Sequence, residues 1–153
     1  MGAAIAPFAS SGMTKINNYW LMKSEPDVYS WDDLVAEGEG TWDGVRNYTA
    51  RNNMRAMVPG DQVFFYHSNI GVEIVGIAEI TQSNIPDPTD DTGRWSAVKL
   101  KPVRKLKRPV TLKEIKADPA LADMDLLTKF RLSVSGVKPQ EWNHILRLTG
   151  DAV

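Results

Sequence analysis

The spacing of apolar residues changes along the chain, and each change marks an element. "YWLM" (Tyr19 to Met22) is a continuous aromatic and aliphatic run that predicts a strand, ending in the "KSEP" loop where Pro26 removes a backbone donor. Ser30 then caps a predicted helix "WDDLVAEG", with Asp33 in the capping-box position and Gly38 at the stop. Trp31, Leu34 and Val35 share one face of it. Asp43-Gly44 marks a turn. Asn47 suits the N-cap of "YTARNNMRAM", a helix that carries Met54 and Met57 inward and breaks at Pro59-Gly60-Asp61.

From Gln62 the period falls to two. "QVFFYHS" and "VEIVGIAEI" read as an antiparallel hairpin about Asn69-Ile70-Gly71, with Val63, Phe65 and His67 facing one way and Phe64, Tyr66 and Ser68 the other. A polar, proline-spaced loop "SNIPDPTDDTG" precedes a further strand, "WSAVKLKPV". "TLKEIKADPALADM" predicts short helices broken near Pro119, and "RLSVSGV" a last strand with Leu132 and Val134 opposite Arg131 and Ser133. "PQEWNHILRLTG" closes as an amphipathic helix from Pro139 to a stop at Gly150, burying Trp142, Ile145 and Leu146. Short strands mixed with short helices predict an α+β domain on a curled antiparallel or mixed sheet. No internal repeat is present, and neither a doubly wound alternation nor a nucleotide-binding glycine loop occurs.

Composition narrows the chemistry. The 153 residues suffice for one core, expected over residues 18–151, with residues 1–17 read as a flexible N-terminal tail. The lack of cysteine removes disulfides, thiolate zinc sites and cysteine nucleophiles, and fits a reducing, cytoplasmic compartment. No apolar run approaches the ~20 residues of a membrane span, so no membrane partner is expected. The net charge of -1 conceals sorting: Glu25 to Asp43 is acidic, whereas Arg46, Arg51, Arg55 and the segment Lys99 to Lys116 are basic. Two histidines without helical spacing make no metal site, and "DPTDD" (Asp87 to Asp91) lacks the glycine and distal glutamate of a calcium loop and reads as a surface turn. No metal and no cofactor is expected.

Trp42 stands immediately before a turn, as either a half-buried packing residue or a platform on which a base stacks. Trp31, Trp95 and Trp142 read as core, and Trp20 is open. Arg46 and Asn47 follow the same turn, where a helix start can hold an anion. His67 with Ser68, and Arg131 with Ser133, place donors and acceptors at strand ends. Ser and His lack a nucleophile-elbow setting, and Asp32 and Asp33 are adjacent rather than facing, so no catalytic constellation stands out.

Taken in order, "YWLMKSEP", "TWDGVRNYTARNNMRAM", "FFYHSN" and "RLSVSGV" resemble the motifs of the EVE domain, the family of thymocyte nuclear protein and many bacterial stand-alone proteins. The similarity runs from Tyr19 to Gly150, with Thr49 where many relatives have Gln, and short spacers resemble the bacterial form. The resemblance implies a PUA-like fold, a small mixed or antiparallel β-barrel with peripheral short helices, in one domain. It also implies a non-catalytic nucleic-acid-binding module that holds a modified base, methylated or hydroxymethylated, flipped from DNA or RNA; a monomer is expected. Carried onto this chain, the implied pocket comprises Lys23, Ser24, Trp42, Arg46, Asn47, His67, Ser68, Arg131 and Ser133. The basic residues Lys99, Lys101, Arg104, Lys105, Lys107 and Arg108 would track the backbone. Two alternatives stand beside it: a small nucleic-acid-processing hydrolase with His67 as acid/base, and a module that binds a peptide or small molecule.

Overall fold

The period-two alternation becomes two cores on the two faces of one sheet. The computed structural model describes residues 18–151, so the expected tail over residues 1–17 lies outside the described residues. In chain order the elements are β1 (Tyr19–Ser24), α1 (Trp31–Glu37), β2 (Gly40–Trp42), α2 (Tyr48–Ala56), β3 (Gln62–His67), β4 (Glu73–Pro86) and β5 (Ser96–Thr111). There follow α3 (Leu112–Ala117), a 3-10 turn (Pro119–Leu121), α4 (Asp125–Thr128), β6 (Val134–Val137) and α5 (Pro139–Thr149). The strands form a six-stranded mixed sheet in the order β2-β5-β4-β3-β1-β6. This is the α+β architecture expected from the sequence.

Neighbouring strands are antiparallel except β1 and β3, which run parallel from Tyr19 opposite Gln62 to Ser24 opposite His67. Asp61 pins the start of that pairing. It is fully buried, and its carboxylate accepts from the Trp20 indole N–H at 3.0 Å, the Asn18 amide at 3.2 Å and the Val58 amide at 3.1 Å. Buried charge is tolerated only with such partners, so Asp61 fixes where both strands begin.

On one face Trp20, Met22 and Phe65 pack with Trp31, Leu34 and Met54 from α1 and α2. On the other, Leu21, Phe64 and Ile77 meet Trp142 and Ile145 of α5, whose indole stacks on Phe64 at 3.8 Å. A Cβ at position 76 would lie 2.6 Å from the Trp31 ring, so α1 reaches β4 only because Gly76 has no side chain. Repeated register shifts between β4 and β5 bend the pair. The sheet curls around α2, which packs on β4, β5 and β6.

The local signals hold closely: Ser30 and Asp33 form the capping box, Asn47 caps α2, and α5 spans Pro139–Thr149 before Gly150. Several details differ, the first being that the strand expected from Arg131 begins only at Val134, which leaves Arg131 and Ser133 in the turn before β6. Val35 is 52% exposed, because the core-facing stripe of this short helix is filled by Trp31 and Leu34. Trp95 is not core; it is half-buried and stacks on exposed Tyr48 at 4.9 Å. The loop expected from Ser83 begins only after Pro86, since the backbone keeps pairing with β5 as far as Pro86 with Ser96.

Candidate functional site

Because β1 and β3 are parallel, their C-terminal ends meet at the same edge, and the loops after β1 and β2 fold over them. There they enclose, with residues 130–133 before β6, a cavity of about 580 Å³. Seven of the residues expected in a pocket line it: Lys23, Ser24, Trp42, Arg46, Ser68, Arg131 and Ser133. Asn47 and His67 do not.

The floor is aromatic and rigid. Trp42 is only 9% exposed and stands edge-to-face with Phe65 at 5.6 Å and with Tyr29 at 6.4 Å. It is therefore both core and wall, rather than a freely exposed platform. The Tyr29 hydroxyl donates to Glu37, and burial together with that carboxylate raises the phenol's pKa. Ser24 Oγ donates to the Tyr29 carbonyl at 2.5 Å, fixing the loop that carries the ring. Lys23 Nζ donates to the Phe130 carbonyl at 2.5 Å, and burial lowers its pKa. Arg131 has no carboxylate partner among the described residues, so its charge is available at the cavity rim.

Asp87 organises the remaining wall. Its side chain is fully buried and accepts from the Gly44 amide at 2.8 Å and Arg46 Nη1 at 3.0 Å, while Thr89 donates from its amide at 2.7 Å and its hydroxyl at 2.6 Å. Burial alone would raise the Asp87 pKa, but these hydrogen bonds outweigh it and hold the carboxyl below its ordinary value. The "DPTDD" segment read as a surface turn is thus the latch for the "WDGVR" turn, and Gly44 adopts φ 76 so that its amide faces the latch. Asp43, next in line, has its pKa raised by partial burial and then by Asp87. Asp43 lines the cavity and brings to it an acceptor that sequence reasoning missed.

Asn47 is occupied as the cap of α2, accepting the Ala50 amide at 2.9 Å, and lines an adjoining cleft of about 380 Å³ with Lys129 and Arg131. His67 turns toward α1, where Nε2 accepts the Trp31 amide at 3.0 Å; burial lowers its pKa, which suits that acceptor role. The basic residues of β5 line neither space. Lys101 pairs with Glu79 at 3.9 Å, Arg104 with Asp151 at 3.3 Å and Arg108 with Glu114 at 2.9 Å. The cations that line the cavity are Lys23, Arg46 and Arg131, whereas Arg51 stacks over Tyr48 at 4.8 Å and is not among its lining residues. Sequence reasoning also missed Tyr29 and Phe130. The available signal was an aromatic within a polar loop, and Phe130 is 68% exposed at the rim.

A model of the EVE domain matches residues 18–148. The chain belongs to the EVE-domain family. Mouse thymocyte nuclear protein 1 is 38% identical over 172 residues, covering 90% of this chain and 76% of that protein. Among solved structures, an Agrobacterium tumefaciens protein is 47% identical with a TM-score of 0.86, covering 88% of this chain and 94% of its own. The human THYN1 protein in complex with 5-methylcytosine-containing DNA is 34% identical with a TM-score of 0.82, covering 90% of this chain and 100% of its own. An ASCH protein from Zymomonas mobilis, 10% identical with a TM-score of 0.52 and covering 88% of this chain and 97% of its own, shares the fold. The EVE domain is thus built on the PUA-like α+β fold.

Proposed function

We propose that this EVE domain binds DNA and recognises 5-methylcytosine, or a closely related modified cytosine, turned out of the helix into the cavity beside Trp42. The observation that carries this reading is the cavity itself: about 580 Å³, with a rigid aromatic wall, an acceptor at Asp43 and cations at its mouth. That volume lies within the range of about 300–1,000 Å³ typical of ligand sites. The human relative bound to 5-methylcytosine-containing DNA supports the choice of ligand.

Each group has a distinct task in this reading. Trp42 and Tyr29 supply the π surface against which the extruded base packs, offsetting the few kcal/mol of unstacking. Asp43 accepts from the exocyclic amine, a donor that cytosine has and thymine lacks. The methyl group lies against Val45 and Trp42, both buried, where one methyl contributes about 1–3 kcal/mol of selectivity. Arg131 and Lys23 neutralise the flanking phosphates.

The hydrolase alternative loses its base, because His67 Nε2 already accepts a backbone amide and His67 does not line the cavity. Binding of matched duplexes containing cytosine, 5-methylcytosine or 5-hydroxymethylcytosine tests the proposal. A modified cytosine should bind about tenfold more tightly than cytosine, in line with one buried methyl. Equal affinity for all three at every salt concentration would reject it.

A further inference from the structure

A second cavity, also about 580 Å³, opens on the other side of Lys23, against the face of the sheet that carries α3 and α4. It shares Lys23, Ser68 and Phe130 with the first, yet its walls are different. Val72, Leu112, Leu126 and Leu127 line it with aliphatic carbon, and no carboxylate borders it. Two ammonium groups do: Lys23, and Lys116, which has no ion-pair partner among the described residues.

Tyr66 adds a neutral donor to these two cations. The residue is 3% exposed and lines this cavity, but its hydroxyl has no hydrogen-bond partner among the described residues. The hydroxyl is therefore free to donate to a ligand acceptor in the cavity. Lys23 Nζ lies over the Tyr66 ring, 5.9 Å from its centre, so an ammonium and a phenol border the same cavity. Burial lowers the Lys23 pKa and raises that of Tyr66, as expected where both donors lack a counter-charge.

We infer that this cavity is a second ligand site, for a small amphipathic anion whose hydrocarbon body packs on the leucines and whose carboxylate meets Tyr66 and Lys23, with Lys116 at the rim. A nucleotide suits it less well. Aliphatic walls leave the polar edge of a base unpaired, and the aromatic side chain on the rim, Phe130, is 68% exposed rather than a floor.

The test uses the full chain without DNA, so that it stands or fails independently of base recognition. Methyl NMR titrations compare octanoate, its neutral analogue octanamide, and deoxycytidine monophosphate. Octanoate should shift the methyl signals of Leu112, Leu126 and Leu127 saturably and bind about tenfold more tightly than octanamide, as expected for charge-assisted hydrogen bonds. Tyr66→Phe and Lys116→Met should each weaken octanoate about threefold or more while leaving octanamide and the folded amide spectrum unchanged. Ala122→Phe, at the exposed rim, should block both ligands. Absence of saturable shifts, equal binding of octanoate and octanamide, or shifts confined to the Trp42 side would overturn the inference. So would stronger binding of deoxycytidine monophosphate at these methyls, which would assign the cavity to a second nucleotide.

Discussion

At the scale of single residues, Asp43 separates reading a base from merely accommodating one. Asp43 lines the cavity near the buried Asp87 carboxylate, partial burial and then that neighbour raise its pKa, and its carboxyl offers an acceptor to a base amine. Replacing it by Asn offers an amide that can present either end. Asp43→Asn should therefore reduce the preference for 5-methylcytosine over thymine by about tenfold, within the 1–3 kcal/mol that one base-edge contact supplies, with little change in thermal stability. Competition binding checks this; an unchanged preference would place the amine elsewhere. Residue by residue, Trp42, Ser68, Arg131 and Ser133 were legible as strand-end or turn groups. Asp87 was not, because nothing in "DPTDD" announces that its first carboxylate is buried against a turn more than 40 positions earlier. His67 and Asn47 were legible as polar groups, but their backbone partners were not.

At the scale of elements, the site depends on two loops held by one acid. Asp87 folds with a depressed pKa, so its contribution to stability is complete above the ordinary carboxylate value of about 4 and is lost as pH falls through the lower folded value. Asp87→Asn should destabilise the protein by about 1–3 kcal/mol at neutral pH, from charge-assisted bonds lost to Arg46 and the Gly44 amide, and should weaken the acid-side dependence. Denaturation across pH 2–7 would show it; parallel wild-type and variant curves would contradict the latch. Helix ends were readable from sequence because caps are local: Ser30 with Asp33, Asn47, and Pro139 with Gly150 sit within a few residues of the backbone they satisfy. The parallel pairing of β1 with β3 was not, since it is fixed by Asp61 taking donors from Asn18 and Trp20, distant in sequence. The length of β5 was obscured by its lysines and arginines, which resemble a loop until Glu79 of β4 and the Leu148 carbonyl of α5 supply partners.

At the scale of the whole molecule, a net charge of -1 leaves DNA binding to local charge. The sequence directs attention to the basic strand from Lys99 to Arg108, but acids meet three of those cations and the cavity opens elsewhere. Arg131→Gln should lower affinity for methylated duplex and reduce the magnitude of the salt slope by about 1, whereas Lys105→Gln should leave both unchanged. The reverse result would return the DNA to the strand. These expectations rest on one central claim, that a modified cytosine leaves its stack and enters the cavity between Trp42, Tyr29 and Asp43. The most direct measurement is a crystal structure of this chain with a duplex carrying one 5-methylcytosine. The account predicts the methylated base outside the helix, its amine toward Asp43 and its methyl toward Val45. A duplex with every base stacked, lying along β5, would contradict it.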